Sequence, residues 1–537
     1  MWQVAGGTPT IVLDDGGRSA GRDDRALGWD PAGPAFAPSA HLVVRGATRL
    51  VMATALVVKD LTLEGEAVLT HLETTPSLSA GLVVNAEHVT IGADAAIDVS
   101  GRGYVGDCHG FGCASGGYTV GNVATHGAAQ FRGGAHGGAG GSGAADAVHG
   151  EPLAPLDLGS GGGYGAGQSE YGGDGGGRVR LVAARLDLEG AIRANGDPGS
   201  GAGQGNGGGG AGGSVWLTVE TLAGEGVIEA QGGSTPRGAG GGGGRVAVEY
   251  DALDATDPLA IEAISAWGGE GATVALGGGP GTIAFARAGQ TATLWVDNGG
   301  RAHVVEAAPW PEIGARVVVA DLGGGVSVGG NPWFPDTLSG LDARFDAGGE
   351  RFTVTSNDRG TLGFDPADGA TSAVATAGAR FHGVRALPVD LVLSGAARVA
   401  LADEVTVTSL AIDDGAVLTH AATPPGGAEP GLVVTATGAV DVGAGGAIDV
   451  SGRGYVGDCG PGAGAAAPGS RSGTRARAAR AASRAARTRV SALGPRRARP
   501  TATRSRRSSS ARAAATGRAR ARPVARAVGA CASRPRR

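Results

Sequence analysis

AIDVSGRGYVGDC occupies Ala96 to Cys108 and returns without a change at Ala447 to Cys459. The match runs backwards from there: LVVRGATRLVMATALVVKDLTLEGEAVLTH (Leu42 to His71) aligns without a gap with LVLSGAARVALADEVTVTSLAIDDGAVLTH (Leu391 to His420). A unit of about 350 residues has therefore been duplicated, and the second copy loses its match after Cys459. Inside the unit runs a shorter beat. Gly177 to Gly196 and Gly213 to Gly232 are each twenty residues from glycine to glycine, and Gly81 to Gly101 follows the same plan. Each holds brief stretches of alternating apolar residues, such as Val179 and Leu181, Leu186 and Leu188, then Ile192. That pattern spells strand, bend, strand, bend, strand.

A rung of about twenty residues cannot bury its own apolar face, whereas stacked rungs make parallel strands and a continuous core. Hairpins would call for a regular series of Asn-Gly turns; Asn298-Gly299 is such a pair, but no regular series of them occurs. The expected fold is all-β: a right-handed parallel β-helix with long glycine-rich loops. Glycine supplies 105 of 537 residues, about three times the usual share. It concentrates in tracts such as Ser200 to Gly213, Ser234 to Gly244 and the long stretch from Gly101 to Gly177. These tracts are read as loops; the alternative is extended glycine strands packed on one side of the solenoid.

The expected organisation is an irregular segment over 1–41, copy one over 42–290, a β-rich segment over 291–386, the start of copy two over 387–459 and a tail over 460–537. The third segment gathers Trp295, Trp310, Trp333, Phe334, Phe345, Phe352, Phe364 and Phe381. An inserted domain and irregular rungs both fit it. From Gly460 onward there are 21 Arg and no Asp or Glu, leaving 24 basic against 50 acidic residues before it. The body is thus strongly acidic, which argues against nucleic-acid binding by anything but the tail. The tail uses nine residue types only, and Lys59 is the chain's single lysine. A GGC run read one base late gives alanine codons, and two bases late arginine codons. The tail is therefore read as a disordered, out-of-frame translation of a glycine tract, to be checked by translating the DNA beyond Cys459 in its other frames.

The N-terminus has no basic region followed by an apolar core, and no run of about eighteen apolar residues occurs. Met1 is read as an internal start with a secretion signal upstream, and no membrane span is expected.

The order of motifs carries a resemblance. GAVLTH or its counterpart, AIDVSGRGY, AHGGAGG (Ala135 to Gly141), GSGGG (Gly159 to Gly163), GGGRVRLVA, GGSVWLTV and GGGGRVAVEYD (Gly241 to Asp251) together resemble the glycine-rich repeat of very large bacterial surface and adhesin-like proteins, some labelled gliding-motility-associated. The resemblance spans Leu42 to Asp251 and Leu391 to Cys459. It implies an extracellular β-helical repeat of unknown biochemistry and offers no catalytic residues to carry over; the expected partner is an unknown surface ligand, such as a polysaccharide or another cell-surface protein.

No catalytic, cofactor or metal residue is assigned. The GxGxxG matches precede no helix with an acidic residue about twenty positions on. YGGDGGGRV (Tyr171 to Val179) matches a single calcium-binding nonapeptide and is read as a turn around Asp174. Cys108, His109 and Cys113 form CHGFGC, read as a bridge or a loop. His71 and His420, paired by the duplication, are read as capping a backbone carbonyl at a strand end. Asp98 and Asp449 are read as pointing outward. A non-enzymatic structural and adhesive module is the expected function. The alternatives are a carbohydrate-active β-helix enzyme, such as a polysaccharide lyase or glycosidase, and nucleic-acid binding through the tail.

Overall fold

The computed structural model describes residues 9–16, 39–106, 116–124, 127–142, 148–165, 170–200, 207–306, 308–422, 431–454 and the backbone of 489–492. Strands dominate, and helix is confined among the described residues to four three-residue 3-10 turns. None is long or apolar enough to cross a membrane.

Alternating apolar residues build a long ladder. Its strands are Thr10–Asp14, His41–Arg45, Asp60–Leu63, Leu82–Ile91, Arg178–Leu188, Ser214–Ala223, Arg245–Leu253 and Thr282–Arg287, each parallel to the next. A shorter parallel ladder runs beside it through Arg49–Met52, Val68–His71, Ala96–Asp98, Ala191–Arg193, Val227–Glu229 and Ile264–Ser265. In-register stacking places like on like. Leu50, Leu69, Ile97, Ile192, Ile228 and Ile264 form one buried column, and Leu82, Val179, Val215, Val246 and Ile283 another. The inward positions of these strands alternate with outward ones, so a one-residue slip would turn Leu69, Ile97, Val179 and Val215 out of the core.

The stack reverses once. Thr282–Arg287 pairs antiparallel with Ala292–Asp297, which then runs parallel to Val389–Ser394, Ser409–Ile412 and Val440–Val442. Copy two adds a short ladder of Arg398–Leu401, Val417–His420 and Ala447–Ile448, and has its own apolar core. Ala292–Asp297, expected to open the β-rich segment, is thus a ladder strand.

The aromatic segment proper is a closed ring of six antiparallel strands. Its order is Arg316–Asp321, Gly325–Val328, Thr361–Phe364, Arg351–Asn357, Asp342–Phe345 and Arg380–Ala386, which returns to Arg316–Asp321. Phe345 fills this small barrel, with its ring 5.3 Å from that of Phe381 and 5.6 Å from that of Phe352. The last barrel strand continues as a third parallel ladder through Glu404–Val407 and Val433–Ala436 to Arg489–Ala492. Those four residues are all that is described of the Arg-rich segment, and they form a paired strand.

The glycine tracts are where expectation and structure part. Where they are described, as over 207–213 and 239–244, they are not loops but buried, extended strands bonded to one another. In the strand 207–213, Gly208 and Ala211 donate to the carbonyls of Gly163 and Ser160, Gly209 and Gly212 to Ala239 and Gly242, and Gly210 and Gly213 to Asp197 and Ala194. Successive residues thus serve three different neighbours, and each neighbour is met again after three residues. Residues 239–244 repeat the rule: Gly240 and Gly243 donate to Leu276 and Gly279, Gly241 and Gly244 to Gly233 and Ala230, and Ala239 and Gly242 to Phe131 and Gly134. A three-residue period with bonds only between strands is the signature of a polyproline-II helix, here bundled as a lattice. None of the glycines in these two strands has positive φ. They are glycine because a Cβ would collide with a neighbour's carbonyl: that of Arg132 at Gly208, Gly233 at Gly209, Asp174 at Gly210 and Gly210 at Gly241.

Candidate functional site

The residues singled out from the sequence are dispersed, and most hold backbone. His71 and His420 are both buried, and the Nδ1 of each bonds the carbonyl of the next residue, Leu72 at 2.6 Å and Ala421 at 2.8 Å. Asp98 and Asp449 each accept the backbone N–H two residues on, from Ser100 and Ser451. Asp174 accepts the N–H of Gly106 at 2.6 Å, tying together the two ends of the Gly101–Gly177 stretch. Cys108, His109, Cys113 and Cys459 lie outside the described residues. Among the described residues no group of three or more His, Cys, Asp or Glu is placed to hold a metal ion.

What the fold does bring together is a column at the point where each glycine strand enters the long ladder. Arg178, Ser214, Arg245 and Thr282 stand in register there. Three of them reach the same crossing segment: Arg178 donates to the Leu156 carbonyl, Ser214 to that of Asp157, and Arg245 through two nitrogens to that of His149, at 3.0 and 2.7 Å. Arg245 is wholly buried and also donates to Thr282 Oγ1 and the Pro309 carbonyl. Burial pushes its pKa down to about 10, opposed by Glu151 and Asp157, so it stays charged. His136, from the AHGGAGG step, bonds the Gly212 carbonyl through Nδ1 and lies 4.8 Å from the His149 ring. Burial, followed by His149 and Arg245, holds His136 well below the ordinary histidine range. Arg385 joins through Glu151 at 2.6 Å and the Pro311 carbonyl.

A second polar junction clasps the barrel to copy two. Glu312 accepts the N–H groups of Ala402 and Asp403, while buried Asp403 accepts those of Ile313, Gly314 and Gly383. Burial raises the pKa of both carboxyls, and Asp403 adds to the rise at Glu312.

These arrangements can order backbone; they do not present a nucleophile and its base to a solvent-filled cleft. The pocket lined by Gly138, Ala139, Gly279, Pro280 and Val399 has room for about one water molecule. Sequence reasoning passed over Arg245, whose only local signal is an arginine at the first strand position after GGGG.

No protein-family model, curated protein or solved structure matches the chain.

Neutral buried histidines make stability depend on acid. Burial lowers His71 and His303 to about 4, so their folded pKa lies below the unfolded 6.5. The stability tied to neutrality is complete above pH 6.5 and is lost as pH falls through about 4, by up to about 3 kcal/mol for each ring. Glu312 and Asp403 work the other way, adding stability below the ordinary carboxylate range and losing it as pH rises through their raised values. Urea midpoints of the parent and of His71→Leu between pH 7 and 4 check this: the variant should show a smaller fall. An equal fall would mean that the His71 ring is charged in the folded chain.

Proposed function

We propose that this chain is a structural and adhesive module of a large secreted or cell-surface protein, with its parallel ladders wound as a right-handed β-helix. The hand follows from the strong preference of parallel crossovers. The observation that carries the reading is the glycine lattice. It ties successive rungs together through backbone alone and makes a stiff support that offers no side chains for chemistry. Buried Arg245, His71, His420 and Asp403 are engaged by backbone carbonyls or N–H groups, which suits mechanical rather than catalytic work. The acidic body, 24 basic against 50 acidic residues before Gly460, favours contact through polar or cation-bridged surfaces over binding to nucleic acid.

The test is to incubate the chain with bacterial and plant polysaccharides and with whole cells, following both retention and chemistry. Retention without new reducing or unsaturated ends is expected. Sustained release of such ends would overturn the proposal in favour of a lyase or glycosidase.

A further inference from the structure

The duplication shows directly what one edge of the molecule is shaped to receive. In copy one, Leu82–Ile91 is covered by Arg178–Leu188 in parallel register from Leu82 with Val179 to Ile91 with Leu188, and Ala96–Asp98 is covered by Ala191–Arg193. The matching strands of copy two are Val433–Ala436, Val440–Val442 and Ala447–Ile448. Among the described residues the last two pair on one side only, with Ser409–Ile412 and Val417–His420. Val89, Ile91 and Ile97 are fully buried in copy one, whereas their counterparts Val440 and Ile448 are partly exposed and Val442 is 44% exposed. The first strand of this edge already accepts a parallel partner. Arg489 pairs with Val433 as Arg180 pairs with Val83, and Val490 with Val434 as Leu181 with Val84.

We propose that the copy-two edge is an acceptor for one more rung of the Arg178–Arg193 kind, added in parallel. Of the segment's apolar positions, Leu186, Leu188 and Ile192 would continue the columns that end at Val440, Val442 and Ile448, and Leu181 would take the place that Val490 holds against Val434. It carries four arginines against Asp187 and Glu189, which suits an acidic acceptor, and Arg193 falls in register with Asp449 as it does with Asp98. Strand addition of this kind draws affinity from main-chain bonds and selectivity from alternate side chains.

The test uses the full chain and a labelled peptide of sequence Gly177 to Gly196, read by fluorescence anisotropy. Saturable one-to-one binding is expected. A peptide carrying Leu186→Asp and Ile192→Asp should bind at least about tenfold more weakly, because two charges would enter the core. In the chain, Ile448→Asp should cost a similar factor, while Val319→Asp, on an exposed barrel strand, should cost nothing. The peptide variants leave folding of the chain untouched, so their result stands even if Ile448→Asp unfolds copy two. No binding, or binding indifferent to Leu186→Asp with Ile192→Asp, would overturn the proposal.

Discussion

Ile97→Asp is expected to lower the unfolding free energy of copy one by about 4 kcal/mol or more, because a carboxylate would replace an aliphatic side chain with no water in reach. Ile97 sits between Leu69 and Ile192 in the column and has no exposed surface. The duplication supplies the control. Ile448 holds the same register position against Leu418 but lies at an open edge, partly exposed, so Ile448→Asp should cost less than half as much. Urea unfolding followed through Trp216 and Trp267, both in copy one, reads the first variant. Equal and small losses for the two would mean that the rungs are not stacked in this register.

Gly209→Ala is the second large effect. Its Cβ would collide with the carbonyl of Gly233, and that carbonyl belongs to a strand fixed on several sides, so no flexible side chain can yield. Overpacking a backbone lattice in this way should cost about 3 kcal/mol. Gly329, near the barrel, has neither positive φ nor any atom near its would-be Cβ. There the same change should stabilise by about 0.5 kcal/mol, since alanine has fewer unfolded conformations to lose. Thermal melts of the two variants separate a packed tract from a loop: if Gly209→Ala behaves like Gly329→Ala, the lattice does not exist in solution.

The rungs were legible because burial in a strand leaves a mark every second residue. Val179, Leu181, Leu186, Leu188 and Ile192 alternate in the sequence, and all five are buried. The glycine tracts left no such mark. Their order lies in which carbonyl each N–H meets, and a residue without a side chain cannot advertise that. The roles of His71 and His420 were readable because their carbonyl partners lie one residue away. Arg245 was not, because its carbonyl partners are 96 and 64 residues distant. The aromatic cluster marked a departure from the rungs without choosing between an inserted domain and irregular rungs. Its extent was blurred because Trp295 belongs to the ladder and Trp310 to the core of copy two, which only the chain reversal after Thr282–Arg287 reveals.

The three-residue rule of the glycine strands also constrains how such a gene can change length. Adding or removing three residues, nine bases, returns every N–H to the neighbour it already served, one turn further along. Adding one or two rotates the whole strand, so that bonds meant for Ser160 and Gly163 would face Gly242 or Ala194 instead. Tandem GGN codons invite replication slippage, which removes or inserts whole codons one at a time. Selection on length variants of these tracts should therefore favour steps of three, a periodicity to be sought in strain-to-strain variation rather than in any single sequence.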